Sequence, residues 1–463
     1  MKKILSVLLS LVLVLSLSVP ALAAEAEPPA QAPAPWTYEY LADAYALGLV
    51  DNNYGTYIQS PITQEQLESM TAIVSNKLAL LELPQRAAED PALVIDTTRG
   101  GVMNALYLAC ADYQMEGVEE GPVPFLKSLG VVRGVNEAGD MDLERPCTYQ
   151  EAMVMAGRLV LAVYDRQDAG SHGLLWKAVN GGNTLYLLGT AHMDRNNVYP
   201  FHKTLRAALA SADEVYFELD LNDQEGMAEF AAMQTYTDGT TLKDHISEEL
   251  YAQTVEVFTA LGMTEEMVGQ FKPWALANTI QSLMTQDETT TGAPMAIDLY
   301  LNAAAVNAGK TIGAVETYAL QGGIFDTLSP EYQELYLGTY VALAQSALSG
   351  ETSELTEEEK QALQEIAEFQ QQQLDAWMEA WKAGDVEAFN AAYDKSAFVN
   401  SDDELSARMF TDRDPNMIDF AAKLLEREGE NTFFLAVGAG HMVDPGGIVS
   451  GLRALGFAVE QVI

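Results

Sequence analysis

Histidine is scarce in this sequence: among 463 residues only His172, His192, His202, His245 and His441 occur. Basic residues are few as well, with 25 Lys and Arg against 67 Asp and Glu and a formal net charge of −42. A surface of that sign repels polyanions, so DNA, RNA and anionic membrane faces are excluded as partners over most of its area. The two cysteines, Cys110 and Cys147, cannot complete a thiolate zinc site and are either a disulfide or a pair of buried thiols. No Gly-x-Ser-x-Gly elbow precedes a suitable His, which argues against a serine hydrolase. No His-Glu-x-x-His, phosphate-binding loop or dinucleotide fingerprint is present. After Val19 no apolar run is long enough to cross a bilayer.

The residues that are present begin with an address. Lys2 and Lys3 precede an apolar run from Ile4 to Val19, and Ala21 and Ala23 fit a cleavage site. Residues 1–23 therefore read as a secretory signal peptide, and the chain is expected to be secreted or associated with the cell wall. Residues 24–35, rich in Ala, Pro and Glu, read as an extended linker. The remainder exceeds the roughly 250–300 residues at which single cores stop growing, so at least two domains are expected.

Residues 36–167 are expected to form a small, mainly α domain. WTYEYLADAYALG (Trp36–Gly48) has helical apolar spacing, and Thr63 is positioned to cap the next helix. PFLKSLGVVRG (Pro124–Gly134) and the start at Pro146–Glu151 echo that pair, which suggests a repeat. The pattern resembles S-layer homology modules, which usually carry an Ile-Thr-Arg-x-Glu motif. Gln64 and Tyr149 stand at the Arg positions here. The resemblance thus implies a degenerate helical spacer, with weak cell-wall glycan contact at most.

From residue 173 to 463 the expected class is α/β, with short strands alternating with helices. Strands are expected at Asn183–Leu188, Glu214–Phe217, Thr311–Val315, Thr432–Val437 and Ala458–Val462. A large helical insertion lies between the two ends, including a capping box at Thr356 and Glu359 and a stop at Gly384. Strand TLYLL runs into Gly189-Thr190-Ala191-His192, then a helix and strand EVYF. Strand FFLAV runs into Gly438-Ala439-Gly440-His441, then a helix and a final strand. Each is a strand–Gly-x-x-His–helix–strand unit, and such units favour parallel pairing. Glycine there permits a sharp turn, often with positive φ, and the close approach of another group. Both histidines are then expected at carboxyl strand ends, where open α/β sheets bind ligands.

Glu218 directly follows strand EVYF and Glu316 directly follows strand TIGAV, so both are expected at the same edge, with Asp220 a surface residue. His192, His441 and Glu218 make a mixed nitrogen and oxygen set suited to a divalent ion such as Mn, Co or Zn. A second carboxylate could then act as general base. Each Glu alone could equally cap the next helix, and the two His could merely cap strand ends.

Several stretches carry a family resemblance. They are LYLLGTAHMDRNNVYPF (Leu185–Phe201), VYFELDL (Val215–Leu221), MAIDLYLNAAAVNAGKTIGAVETYALQ (Met295–Gln321), TDRDPNM (Thr411–Met417) and FFLAVGAGHMVDPGGIVSGLRALGFAVEQV (Phe433–Val462). In order and spacing they resemble the TraB/GumN family, which includes pheromone-shutdown proteins and the Tiki metalloproteases. The resemblance implies that His192, His441, Glu218 and Glu316 line one site with Arg413, and that Asp298 is a further site or supporting group. Arg413 could stabilise an oxyanion, clamp a substrate carboxylate or orient a ligand Glu. The implied activity is metal-dependent hydrolysis of peptides or similar small substrates. The alternatives are a protein that sequesters a peptide signal without cleaving it, and a cell-wall-associated structural protein.

Overall fold

A computed structural model describes residues 31–87, 92–136, 138–191, 198–285, 295–349 and 372–463. The expected signal peptide, most of the linker, His192 and the expected Thr356–Glu359 capping box lie outside the described residues.

Helices make up the N-terminal unit, where the repeat runs deeper than its sequence echo. Helices Gln64–Ala79, Arg99–Ala111 and Tyr149–Arg166 each start after a threonine, at Thr63, Thr98 and Thr148. Thr63 and Gln66 form a reciprocal capping box, with Oγ1 accepting from Gln66 N at 3.2 Å and Gln66 Oε1 accepting from Thr63 N at 3.0 Å. Thr98 Oγ1 accepts from Gly101 N at 3.1 Å. The three caps meet, because Ile62 N donates to Cys147 O at 2.8 Å and Cys147 N donates to Thr97 O at 2.9 Å. The middle copy has no sequence echo of a capping box because Gly101 occupies the Glu/Gln place. A Cβ there would lie 2.2 Å from Asp96 Oδ1. That copy carries an arginine, Arg99, but its guanidinium is turned inward onto Met141 O, Arg133 O and Glu151. Cys110 and Cys147 are both buried free thiols.

The expected α/β class is borne out in the rest of the chain. The described residues form one six-stranded mixed sheet from β1 (Leu174–Asn180), β2 (Asn183–Thr190), β3 (Glu214–Phe217), β4 (Thr311–Ala314), β5 (Thr432–Gly438) and β6 (Ala458–Gln461). Their order is β4-β3-β5-β2-β1-β6. The four strands β4, β3, β5 and β2 are parallel, as the paired units require. Strand β1 is an addition to the expected set. It pairs antiparallel with both β2 and β6, so β6 points the same way as β2 and β5. Leu174, Leu175, Trp176 and Ala178 are buried, which gives β1 the near-continuous apolar character of an interior strand.

Helix Asp414–Leu425 lies across β1 and β2 and packs on helix Ile448–Ala454. The insertion is built on helices Glu248–Ala260, Pro273–Thr285 and Pro330–Ser349, which pack together. Its centre is aromatic, with Trp274 stacked on Phe325 at 5.6 Å between centroids. Helical residues 372–383 end at Gly384, whose φ of +69° makes it the expected stop. The N-terminal unit docks on this domain through Tyr300, whose hydroxyl donates to Asp43 Oδ1 at 2.8 Å, and through Lys77, which donates to Tyr199 O at 3.0 Å.

Candidate active site

The register of β2 and β5 brings the two Gly-x-x-His motifs to one edge. Gly189 pairs with Val437 and Thr190 with Gly438, so both motifs leave the sheet from neighbouring carboxyl ends. Adjacent strands lie about 4.8 Å apart. The motif glycines serve close approach and not left-handed backbone. Neither Gly189, Gly438 nor Gly440 has positive φ, so the expected turn through that region is corrected. A Cβ on Gly189 would lie 2.9 Å from Ala439 Cα, so one motif packs directly on the other. A Cβ on Gly440 would lie 2.7 Å from the Tyr393 hydroxyl and 2.9 Å from Phe410 Cε1. Trp381 Nε1 donates to Gly189 O at 2.6 Å and fixes the end of β2 from behind.

Strand pairing also aligns the two carboxylates. Beyond β3 and β4 the ladder continues, with Val315 N donating to Phe217 O at 2.8 Å and Glu316 N donating to Glu218 O at 2.9 Å. Glu218 and Glu316 are therefore side by side at the edge that carries the histidine motifs. Arg413 joins them. Its Nε donates to Glu316 Oε1 at 2.8 Å, and its Nη2 donates to Glu316 Oε2 at 2.6 Å and Glu218 Oε2 at 2.7 Å. Gln321 Nε2 donates to Glu316 Oε2 at 3.0 Å and Glu218 Oε2 at 3.2 Å. Gly438 N donates to Glu218 Oε1 at 2.7 Å. Burial opposes the charge of Arg413, but the two glutamates outweigh it and hold its pKa above the ordinary arginine value.

His441 is buried beside this group. Its Nε2 lies 4.0 Å from Glu218 Oε1, and its Nδ1 lies 2.6 Å from Asp414 Oδ1. Lys395 Nζ donates to Asp414 Oδ2 at 2.6 Å and to Val443 O at 3.1 Å. Adjacent residues thus serve the two halves of the site, Arg413 the glutamates and Asp414 the histidine.

The structure brings Glu218, Glu316, Arg413 and His441 together, and leaves His192 outside the described residues, two positions beyond the described Thr190. Asp298 lies in the first turn of helix Ile297–Asn307. Asp220 Oδ1 accepts from Asn222 N at 2.8 Å in a local turn. Arg413 gives its Nε and Nη2 donors to the glutamates, so its geometry is that of a group orienting Glu218. Both Glu316 oxygens are occupied by Arg413 and Gln321. Sequence reasoning missed Gln321, Asp414 and Lys395. Gln321 and Asp414 lie inside the quoted family stretches, while nothing in the local sequence points to Lys395.

Among the described residues, no group of three His, Cys, Asp or Glu side chains forms a metal-binding cluster. The described part nevertheless fits half of such a site. His441 Nε2 faces a carboxylate, its Nδ1 is already engaged, and nitrogen with oxygen donors suits a divalent transition ion. The Thr190 hydroxyl, at the end of β2, is buried with no hydrogen-bond partner among the described residues. Buried polar atoms without partners commonly mark the place of a water, an ion or a ligand.

Comparison with known proteins finds relatives of this chain among metalloproteases. The chain is 24% identical over 316 residues to "Metalloprotease TIKI2" of Danio rerio, covering 60% of this chain and 58% of that protein. It is 25% identical over 306 residues to "Metalloprotease TIKI1" of Danio rerio, covering 60% of each. It is 21% identical over 339 residues to "Metalloprotease TIKI homolog" of Amphimedon queenslandica, covering 64% of this chain and 62% of that protein. The chain thus spans about three fifths of the length of these curated relatives. No solved structure matches it. The match to the TraB/PrgY/gumN family runs over residues 174–461, from β1 through β6 and past both histidine motifs; the protein belongs to that family.

Proposed function

We propose that this chain is an exported metal-dependent hydrolase of peptides, whose divalent ion is held by His192, His441 and Glu218. The observation that carries this reading is the β2/β5 register, which starts both Gly-x-x-His motifs at neighbouring strand ends beside Glu218. The similar Danio rerio proteins are named metalloproteases, which points to the same chemistry. A divalent ion at such a site lowers the pKa of a bound water and polarises a carbonyl. Glu218 is the carboxylate facing His441, and Arg413 and Gln321 hold its Oε2 so that Oε1 is directed at the imidazole. Glu316 anchors Arg413 through two hydrogen bonds, and the anchored guanidinium holds Glu218 in place through a third. Peptide substrate would lie across the carboxyl ends of β2, β5 and β3, the usual ligand position in an open α/β sheet.

The test is metal content and peptide cleavage of purified protein, compared with a variant carrying His192→Ala and His441→Ala. Wild type is expected to hold about one ion per chain and to cleave peptides in a library read by mass spectrometry. The double variant is expected to do neither. Stoichiometric metal retained in the double variant sinks the ligand assignment. A wild-type protein that binds peptide but takes up no metal after reconstitution supports sequestration in place of hydrolysis.

A further inference from the structure

The region around Asp414 holds a buried three-residue chain, Lys395–Asp414–His441. The Lys395 side chain is fully buried, and the Asp414 and His441 side chains are 7% and 5% exposed. Asp414 opens helix Asp414–Leu425, where the first-turn N–H groups favour a negative side chain. Lys395 Nζ lies 5.1 Å over the ring of Phe410, whose ring centroid is 5.3 Å from that of His441.

Counting donors and acceptors fixes a proton on Nδ1. A carboxylate only accepts and an ammonium only donates. Asp414 Oδ2 accepts from Lys395 and Oδ1 meets His441 Nδ1. The imidazole must therefore supply the proton on Nδ1. In neutral histidine the other nitrogen, Nε2, then carries the lone pair, and it is Nε2 that faces Glu218.

We propose that Lys395 and Asp414 are positioning residues that fix the His441 tautomer, so that Nε2 is presented to the site as an electron-pair donor. This rests on the proposed role of His441 as a ligand, but the tautomer can be read without any metal. Asp414→Asn discriminates the idea sharply. Asparagine offers one oxygen and one NH2. Lys395 can only donate, so it takes the oxygen, and the NH2 is left facing Nδ1. Nδ1 must then accept, and the proton moves to Nε2. Adding Lys395→Met removes that claim on the oxygen. The amide can rotate, offer its oxygen to Nδ1–H and restore the original tautomer.

The experiment is nitrogen-15 NMR of histidine-labelled, metal-free protein at mildly alkaline pH, with His441 assigned by its loss in His441→Ala. Cobalt(II) titration is run in parallel. Wild type is expected to show Nδ1–H. Asp414→Asn is expected to show Nε2–H and about 10- to 100-fold weaker cobalt binding, the usual effect of losing a carboxylate behind a ligand histidine. The double variant, Lys395→Met with Asp414→Asn, is expected to regain Nδ1–H and most of the affinity, whereas a merely structural role predicts further loss. Nε2–H in wild type overturns the proposal without any variant, and so does a double variant that stays in the Nε2–H form. If the tautomers shift as described while wild type binds no cobalt, this inference stands and the metal reading falls. If cobalt binds tightly and no tautomer shifts, the metal reading stands and this inference falls.

Discussion

Replacing Arg413 by Met tests how the centre of the site is held. Arg413 is 4% exposed, and the Glu316 and Glu218 side chains it bridges are 3% and 15% exposed. Three charge-assisted hydrogen bonds vanish with the guanidinium. Among the described residues, Gln321 Nε2 and Gly438 N then remain as neutral donors to the two neighbouring carboxylates. Removing one partner of a buried ion pair costs about 3–5 kcal/mol, because the other charge stays behind unpaired. Here one cation serves two anions, so the upper part of that range is expected. At roughly 2–4 °C per kcal/mol for domains of 150–250 residues, the melting temperature should fall by about 10 °C or more. The assay is thermal unfolding followed by circular dichroism at neutral pH, in low and in high salt. Salt should change the deficit little, since buried pairs are weakly screened. Adding Glu316→Gln to Arg413→Met removes one stranded charge and should recover about 2 kcal/mol, roughly half of the loss. The reasoning fails if Arg413→Met melts with wild type, or if Glu316→Gln makes the Arg413→Met protein less stable still.

Gly440→Ala puts a methyl 2.7 Å from the Tyr393 hydroxyl and 2.9 Å from Phe410, two buried rings with no room to turn aside. A cost of about 1–3 kcal/mol is expected, together with weaker cobalt binding at the displaced His441; wild-type melting and affinity would contradict it. Asp43→Asn should raise the melting temperature at neutral pH. Burial lifts the Asp43 carboxyl above its usual range in spite of the Tyr300 hydrogen bond, so its contribution to stability is present in acid and lost as pH rises through the lifted value. The gain over wild type should therefore shrink to nothing as pH falls to about 4, and a gain that grew in acid would have the wrong sign. Burial pushes the Cys110 and Cys147 thiols up to about 12, so at pH 8 only about one in ten thousand is thiolate. Native protein should resist a disulfide reagent and release two reactive thiols on unfolding, and rapid labelling of the folded protein would refute this.

Local patterns in the sequence carried the α/β class, five of the six strands, the Thr63 cap with its echo at Pro146–Glu151, and the paired histidine motifs, because alternation, capping and strand ends are set within a few residues of each other. Strand β1 escaped although glycines flank it on both sides, because a short apolar run by itself reads equally as helix or strand. The third threonine-capped helix escaped because its box residue is Gly101, which contact with Asp96 demands. The family stretches put Glu218, Glu316 and Arg413 in one site, but their chemistry there depends on packing. Arg413 bonds to Glu316 across 97 residues and to Glu218 across 195, and nothing local reveals that a buried guanidinium will direct these donors to two carboxylates. The same holds for Lys395 and Asp414, where only tertiary packing decides which polar atoms lose water together and must satisfy one another. Sequence therefore determined which side chains reach the sheet edge, since backbone periodicity is local. The fold alone decided which of them touch, since hydrogen-bond partners of buried groups are chosen by the surfaces that close over them.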